Sequence, residues 1–308
     1  MHVERVDLPQ PHYGPVAVYR VGDTLVDTGH PFGPSQDALR DALDGGVLDG
    51  VERVLLTHPH VDHVGGSLLY EPLTDLPHVV FEGVPDLLRD FTAYLREARA
   101  EMRDFSAGLV TSERQAQARE ENDDLYFPLD REYAGDRIEF ERVVSHGDTV
   151  RLGEYDCEVV HTPGHSHQHM SLFHEPSGAM LSGDIISTNG HFMYGPLYWD
   201  IGEYRTGLER IRERDPDVLY PNHGERMDDP AARVADALEK ADRAEAAILA
   251  AVAEHGELPA RELAVEALGA SEAAVDFLTN VASVYAIHLA ERGALRVERR
   301  PNVVALPA

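Results

Sequence analysis

Thr57-His58-Pro59-His60-Val61-Asp62-His63 places three imidazoles and a carboxylate within seven residues, directly after the apolar run Val51 to Leu56. A chain that leaves a buried strand through such a stretch must give these polar side chains partners at the edge of its core. Neutral imidazole nitrogen and carboxylate oxygen suit Zn²⁺ or a neighbouring first-row ion. Pro59 fixes its own φ and pushes His58 toward extended backbone, so the strand should stop there and the donors should lie on a loop of restricted freedom.

Three later stretches repeat the arrangement of apolar run, turn and donor. Cys157 to His161 runs into Thr162-Pro163-Gly164-His165, Ala179 to Ser182 into Gly183-Asp184, and Asp217 to Tyr220 into Pro221-Asn222-His223-Gly224. Four strand ends therefore present His58, His60, Asp62, His63, His165, Asp184 and His223. Seven donors exceed the need of one tetrahedral ion and suit two ions that share a carboxylate.

These motifs resemble the metallo-β-lactamase superfamily, in its glyoxalase II-like branch, over essentially the whole chain. The resemblance implies that His58, His60 and His165 hold one metal and that Asp62, His63 and His223 hold the other, with Asp184 bridging. It implies two Zn²⁺, with iron or manganese as alternatives. Val26-Asp27-Thr28-Gly29 matches an early motif whose carboxylate supports the metal loop from behind. One departure is visible: the last motif commonly reads Pro-Gly-His-Gly, and Asn222 stands at its second position. Asn tolerates a left-handed backbone better than other non-glycine residues, so the turn is expected to survive.

The chain has 308 residues, a net charge of −28 and 27 basic side chains, of which Lys240 is the only lysine. Acidic excess with almost no lysine resembles intracellular proteins of salt-loving microbes, where screening relieves self-repulsion. Cys157 is alone, which excludes an intramolecular disulfide framework and fits a reducing interior. No apolar run approaches a spanning length, and the first residues lack a basic and apolar leader pattern. The reading is a soluble, cytoplasmic protein with a small-molecule substrate and no membrane partner.

Taken in order, strands are expected at Val3 to Leu8, Pro15 to Val21 and Thr24 to Asp27, then a helix from Pro34 to Leu43 capped near Ser35. Gly65-Gly66 should allow close backbone approach ahead of a short helix, Ser67 to Tyr70. Residues 84–132 read as a helical insertion, with a second helix over Ser112 to Asn122. Phe91, Tyr94, Met102 and Phe105 are candidates for an apolar lid, although the same stripe would serve to bury the helix against its own domain. Strands return at Asp136 to Val144, Thr149 to Leu152, Asp156 to His161, His169 to His174 and Ala179 to Ser182. The loop Ser187 to Asp200 carries His191, Tyr194, Tyr198 and Trp199, and Tyr194 is the candidate for polarising a substrate carbonyl. His161, His167 and His169 are expected behind the site or at the surface, and His30 is the one other histidine placed to matter.

Past Asp228-Asp229-Pro230 the composition changes. Helices over Ala231 to Glu254, Pro259 to Leu268 and Ser271 to Glu291, then a hairpin over Leu295 to Leu306, are similar to a winged-helix module. Arg296, Arg299 and Arg300 on the wing suit phosphates, but 7 basic against 10 acidic side chains from residue 240 onward disfavour nucleic acid, and contact with the catalytic domain or a second subunit is favoured. The expected architecture is α/β: an αββα sandwich of two facing mixed sheets (1–230) with a winged-helix domain (231–308). The expected activity is hydrolysis of a thioester or lactone by a metal-bridging hydroxide, with Asp62 and Asp184 as the working carboxylates. The alternatives are a phosphodiesterase or ribonuclease on the same metals, and a mononuclear iron enzyme similar to persulfide dioxygenases. Raising salt from about 0.1 M to about 1 M shortens the Debye length from about 10 Å to about 3 Å. The thermal unfolding midpoint is expected to rise over that range, and a flat or falling midpoint by calorimetry would contradict the salt-adapted reading.

Overall fold

The computed structural model describes residues 1–10, 14–46, 48–105, 120, 123, 124, 127–188, 200–272, 274–300 and 302–308. Its first sheet runs in the order β1 (Glu4–Leu8), β2 (Val16–Val21), β3 (Thr24–Val26), β4 (Arg53–Leu56), β5 (His78–Phe81) and β6 (Phe140–Val144), antiparallel as far as β3 and parallel beyond it. The second contains β7 (Thr149–Leu152), β8 (Tyr155–His161), β9 (Met170–His174), β10 (Ala179–Gly183) and β11 (Val218–Pro221), in the spatial order β11-β10-β9-β8-β7 with only β10 and β11 parallel.

Alternation along the strands of the second sheet separates two cores. Cys157, Val159, Leu172 and Leu181 point into a cluster shared with Val18, Leu55 and Val80 of the first sheet. Their neighbours Val160, Phe173 and Met180 point the other way, into a second cluster. A side-chain period of two puts one face between the sheets and the other under helices. In β4 and β5 the residues Val54, Leu55, Leu56, Val79, Val80 and Phe81 are all buried, as parallel strands covered on both faces require.

Around the first sheet lie α1 (Gly33–Asp44), α2 (Val61–Leu69), α3 (Glu71–Thr74), α4 (Val84–Arg89) and α5 (Phe91–Phe105). The expected cap at Ser35 is not used as one: Phe32 is the N-cap residue and the Ser35 hydroxyl accepts the His30 N–H instead. The helical stripe after residue 84 breaks at Asp90 into α4 and α5. Phe91 belongs to the first core and packs edge-on to Tyr133, while Tyr94 and Met102 are half-buried against that core. These three thus bury their helix against its own domain. The Phe105 side chain, most of the expected helix over 112–122 and Tyr194 lie outside the described residues.

The expected short helix after Gly65-Gly66 is instead the end of α2, which begins at Val61 and contains both glycines. Their role is contact with the loop after β3. A Cβ on Gly65 would sit 2.5 Å from Gly29 O and 2.5 Å from Pro31 N. Thr28 N–H donates to His63 O at 2.7 Å and Gly65 N–H to Gly29 O at 2.8 Å, so the loop lies backbone to backbone on the helix.

α6 (Ile201–Arg214), α7 (Pro230–His255), α8 (Ala260–Glu266), α9 (Val275–Glu291) and a small sheet in the order β12 (Leu258–Pro259), β14 (Asn302–Pro307), β13 (Leu295–Arg300) complete the chain. They share one apolar cluster with the outer face of the second sheet: Phe173, Met180 and Leu219 pack in the same core as Leu208, Leu238, Ile248, Tyr285 and Ala305. Each large apolar side chain so covered contributes about 1.5–3 kcal/mol. On the expected wing, Arg296 Nε donates to Pro307 O at 3.0 Å. No helix among the described residues is long and apolar enough to cross a membrane.

Gly65→Ala is expected to destabilise the protein by at least the ~1–3 kcal/mol typical of overpacking. Gly33→Ala, where a Cβ meets nothing within 4 Å, should be neutral or slightly stabilising. Denaturant unfolding of both variants checks the contrast.

Candidate metal centre

The ends of β4, β8, β10 and β11 converge at the edge where the two sheets meet. Pro59 interrupts the backbone after β4, so His58 and His60 sit on the connection, while Asp62 and His63 occupy the first turn of α2. The sequence placed all four on a loop; the structure gives two of them to a helix. His165 follows β8, Asp184 the parallel strand β10, and His223 the strand β11.

All seven donors come together in two groups. His58, His60 and His165 form one, and Asp62, His63, Asp184 and His223 the other; within each group the donor atoms lie within 4.8 Å of one another. Asp184 Oδ2 joins them. It is 3.1 Å from His63 Nε2 and 3.0 Å from His223 Nε2 in its own group, and 3.3 Å from His165 Nε2 in the other. Asp62 Oδ2 lies 3.3 Å from His223 Nε2, and His60 Nδ1 lies 2.8 Å from His165 Nε2.

Hydrogen-bond accounting fixes which ring nitrogens face inward. The Thr57 hydroxyl donates to Asp27 Oδ2 at 2.7 Å, so its oxygen accepts from His58 Nδ1 at 2.9 Å. That leaves the His58 Nε2 lone pair without a partner. His58 Nε2, His60 Nε2 and Asp184 Oδ1 are buried polar atoms with no hydrogen bond, a costly arrangement unless a cation or water completes it. An oxygen and nitrogen donor set of this composition fits a divalent first-row ion.

The two groups differ electrostatically. Burial, helped by the neighbouring His63, His60 and His165, holds His58 well below the usual histidine range, and burial takes His60 to about 4. Both are neutral at pH 7. Burial would also lower His223, but Asp184 and Asp62 overcome it and hold it up at about 10. His63 is likewise raised, against burial, by Asp184, Asp62 and Asp27. Asp184 and Asp62 are correspondingly low, because the histidines beside them outweigh the effect of burial.

Asp27 lies beneath both groups, fully buried and at φ 62°. Its carboxylate accepts from Thr57 N–H (2.8 Å), Thr57 Oγ1 (2.7 Å), His63 Nδ1 (2.9 Å) and Asn222 Nδ2 (2.9 Å). Asn222 does not take the left-handed backbone expected of it: Asp27 and Asp215 are the non-glycine residues with positive φ among those described. It is there for its amide, which bridges Asp27 to Ala17 O at 2.7 Å. Gln10, whose amide approaches His223 Nδ1 at 3.4 Å, gave no signal in the sequence because a lone Gln in a loop has none. His30 accepts the Phe32 N–H at Nδ1 and joins neither group. His167 is exposed beside Glu203, and His161 stacks on Phe81 and bonds His167 O. His169 is fully buried behind the site.

The model of the metallo-beta-lactamase superfamily matches residues 14–223. The chain belongs to that superfamily. A probable metallo-hydrolase of Bacillus subtilis is 29% identical over 237 residues, covering 69% of this chain and 68% of the relative. An atrochrysone carboxyl ACP thioesterase of Aspergillus fumigatus is 26% identical over 200 residues, covering 65% of this chain but 34% of the relative. The chain thus spans only about a third of that thioesterase. Among solved structures, a metallo-beta-lactamase family protein of Thermus thermophilus superposes with a TM-score of 0.72 at 20% identity, covering 99% of this chain and 98% of the other. A beta-lactamase domain protein of Burkholderia ambifaria gives 0.74 at 22%, covering 99% and 91%. These two share the fold along its length, C-terminal helices included.

A first ion entering among His58, His60 and His165 meets two rings, His58 and His60, that burial keeps neutral, whereas one entering among Asp62, His63, Asp184 and His223 displaces the protons that His63 and His223 hold. Titrating chelator-treated protein with Zn²⁺ in weak buffer at pH 7 is therefore expected to release protons chiefly with the second equivalent. Because His63 and His223 are raised, second-ion affinity should climb as pH rises toward about 10 and fall on acidification. Proton release confined to the first equivalent would contradict this ordering.

Proposed function

We propose that the protein is a two-metal hydrolase acting on a small ester-like carbonyl, a thioester first and a lactone second. That it is a metal-dependent hydrolase follows from its family and its donor set. The observation that carries the finer reading is Asp184 Oδ2, within 3.3 Å of donor nitrogens from both groups. A carboxylate placed between two donor sets suits two ions rather than one. The thioesterase name of the Aspergillus fumigatus relative supports the choice of substrate.

In this reading His58, His60 and His165 hold one ion, Asp62, His63 and His223 hold the other, and Asp184 is shared. Zinc suits the donors best, with iron or manganese next. Two divalent ions, when bound, supply Lewis acidity and make water a nucleophile near neutral pH. Asp62 is the donor most open to solvent among the carboxylates, at 20% exposure of its side chain against 2% for Asp184. It is therefore the carboxylate placed to orient the attacking water. Asp27 keeps the His63 ring aligned through Nδ1, and Thr57 does the same for His58. Tyr194 is retained as the candidate for polarising the substrate carbonyl.

The reading of the C-terminal part, 231–308, as a winged helix is supported by three helices, α7, α8 and α9, followed by the two-stranded wing of β13 and β14, with β12 paired to β14. A ribonuclease would use the same donors, but a net charge of −28 works against phosphate-rich substrates. The shared core supports packing on the catalytic part as the role of this module. One buried cysteine and the acidic composition favour the reducing cytoplasm of a salt-adapted cell.

Elemental analysis of protein purified in high salt is expected to give two zinc ions per chain, with at least one lost in Asp184→Ala, and acyl thioesters should release free thiol. One iron per chain together with oxygen uptake on sulfur substrates would overturn the proposal.

A further inference from the structure

Behind Asp184 runs a buried hydrogen-bond chain that neither donor group uses. The Asp184 N–H donates to His169 Nε2 at 2.9 Å. A ring that accepts at Nε2 is neutral and carries its proton on Nδ1, which faces Thr162 Oγ1 at 2.8 Å. Thr162 Oγ1 is in turn 2.8 Å from Ser171 Oγ, and Ser171 Oγ donates to Ser182 O at 3.2 Å. Because Ser171 gives its hydrogen to that carbonyl, Thr162 donates to Ser171 and accepts from His169. Every hydrogen then points one way, from His169 toward Ser182 O. The three side chains His169, Thr162 and Ser171, and the residue Ser182 whose carbonyl ends the chain, have no exposed surface.

The chain leaves and rejoins the end of β10 on either side of Gly183. That residue has φ 58°, and a Cβ there would lie 2.3 Å from His169 Nε2. The imidazole is therefore seated directly against the turn that delivers the Asp184 carboxylate. Its ring centroid is 5.0 Å from that of His58 and 5.9 Å from that of His165, close enough to be mistaken for a donor. Its inward nitrogen is committed to backbone instead.

We propose that His169 is a positioning residue: by accepting the Asp184 N–H it fixes the turn that holds the Asp184 carboxylate at the junction of the two donor groups. The inference rests on the reading of Asp184 as the shared ligand. Its chemical requirement is specific, namely an acceptor at the Nε2 position and a donor toward Thr162. A side chain that only fills space does not meet it.

The test compares His169→Leu, which keeps the bulk and removes the acceptor, with His169→Gln, whose Oε1 can reach the same N–H. Zn²⁺ affinities would be read by chelator competition on the full-length protein, with circular dichroism reporting the fold. The leucine variant is expected to bind its first ion as the parent does and its second about 10–100-fold more weakly, the usual effect of losing an outer partner. The glutamine variant should recover most of that loss. Thr162→Val, nearly isosteric, removes the hydroxyl that receives the Nδ1 proton and should weaken the second ion in the same direction; it decides the matter if the leucine variant does not fold. Parent-like second-ion affinity in both the leucine and valine variants, or equal losses with leucine and glutamine, would overturn the role of His169 alone. A parent protein that binds a single ion would instead overturn the two-metal reading and this inference with it.

Discussion

Four hydrogen bonds to one buried carboxylate hold the site together. Asp27 receives Thr57 from the end of β4, His63 from α2 and Asn222 from the end of β11, so one residue ties the first sheet, the donor-bearing helix and the second sheet. Removing any single donor would leave buried charge less well compensated, and removing Asp27 would orphan all of them. Further bonds reinforce the seam. Ala17 N–H donates to Asn222 O, Tyr19 donates to Pro221 O, and Val16 pairs with His223 in an isolated bridge. The donors are thus carried on the junction of two sheets rather than on loops free to move, which is the support a metal site requires.

The same junction explains how an acidic chain presents a cation site without spreading that property over its surface. Two carboxylates and two raised histidines neutralise one another in one group, while burial keeps His58 and His60 of the other neutral. Asp62 also stands in the first turn of α2, where the helix N-terminus favours a negative charge. Local geometry, not the net charge of −28, sets the potential at the donors.

The seven donors were legible in the sequence because each follows an apolar run and a turn residue, and runs of that kind end at the edge of a sheet. The sandwich was legible for the same reason, through strands such as Thr149–Leu152 that kept their expected bounds. What stayed hidden depends on contacts between distant segments. β5 was not foreseen because its four buried residues lack alternation, and α6 because its apolar positions are few. Gly65 and Gly66 looked like a break before a helix, whereas the loop at 28–31 pressing on that helix is what requires them. Asn222 looked like a backbone choice and is a side-chain choice. His169 sits among the histidines around His165, and only the direction of the Asp184 N–H separates acceptor from ligand.

The core shared by the second sheet and the C-terminal helices also orders events during synthesis. Phe173 and Met180 leave the ribosome long before Tyr285, Val303 and Ala305, the side chains that close the cluster around them. Until residues 303–305 are made, the outer face of the second sheet has an incomplete cover, and the strand that seals the module must pair back to Leu258. Contacts of such long sequence separation form late. The nascent chain therefore carries an incompletely covered apolar sheet face from the synthesis of Met180 until Val303 and Ala305 are made, and exposed apolar surface of that kind is what makes an unfinished chain prone to aggregate.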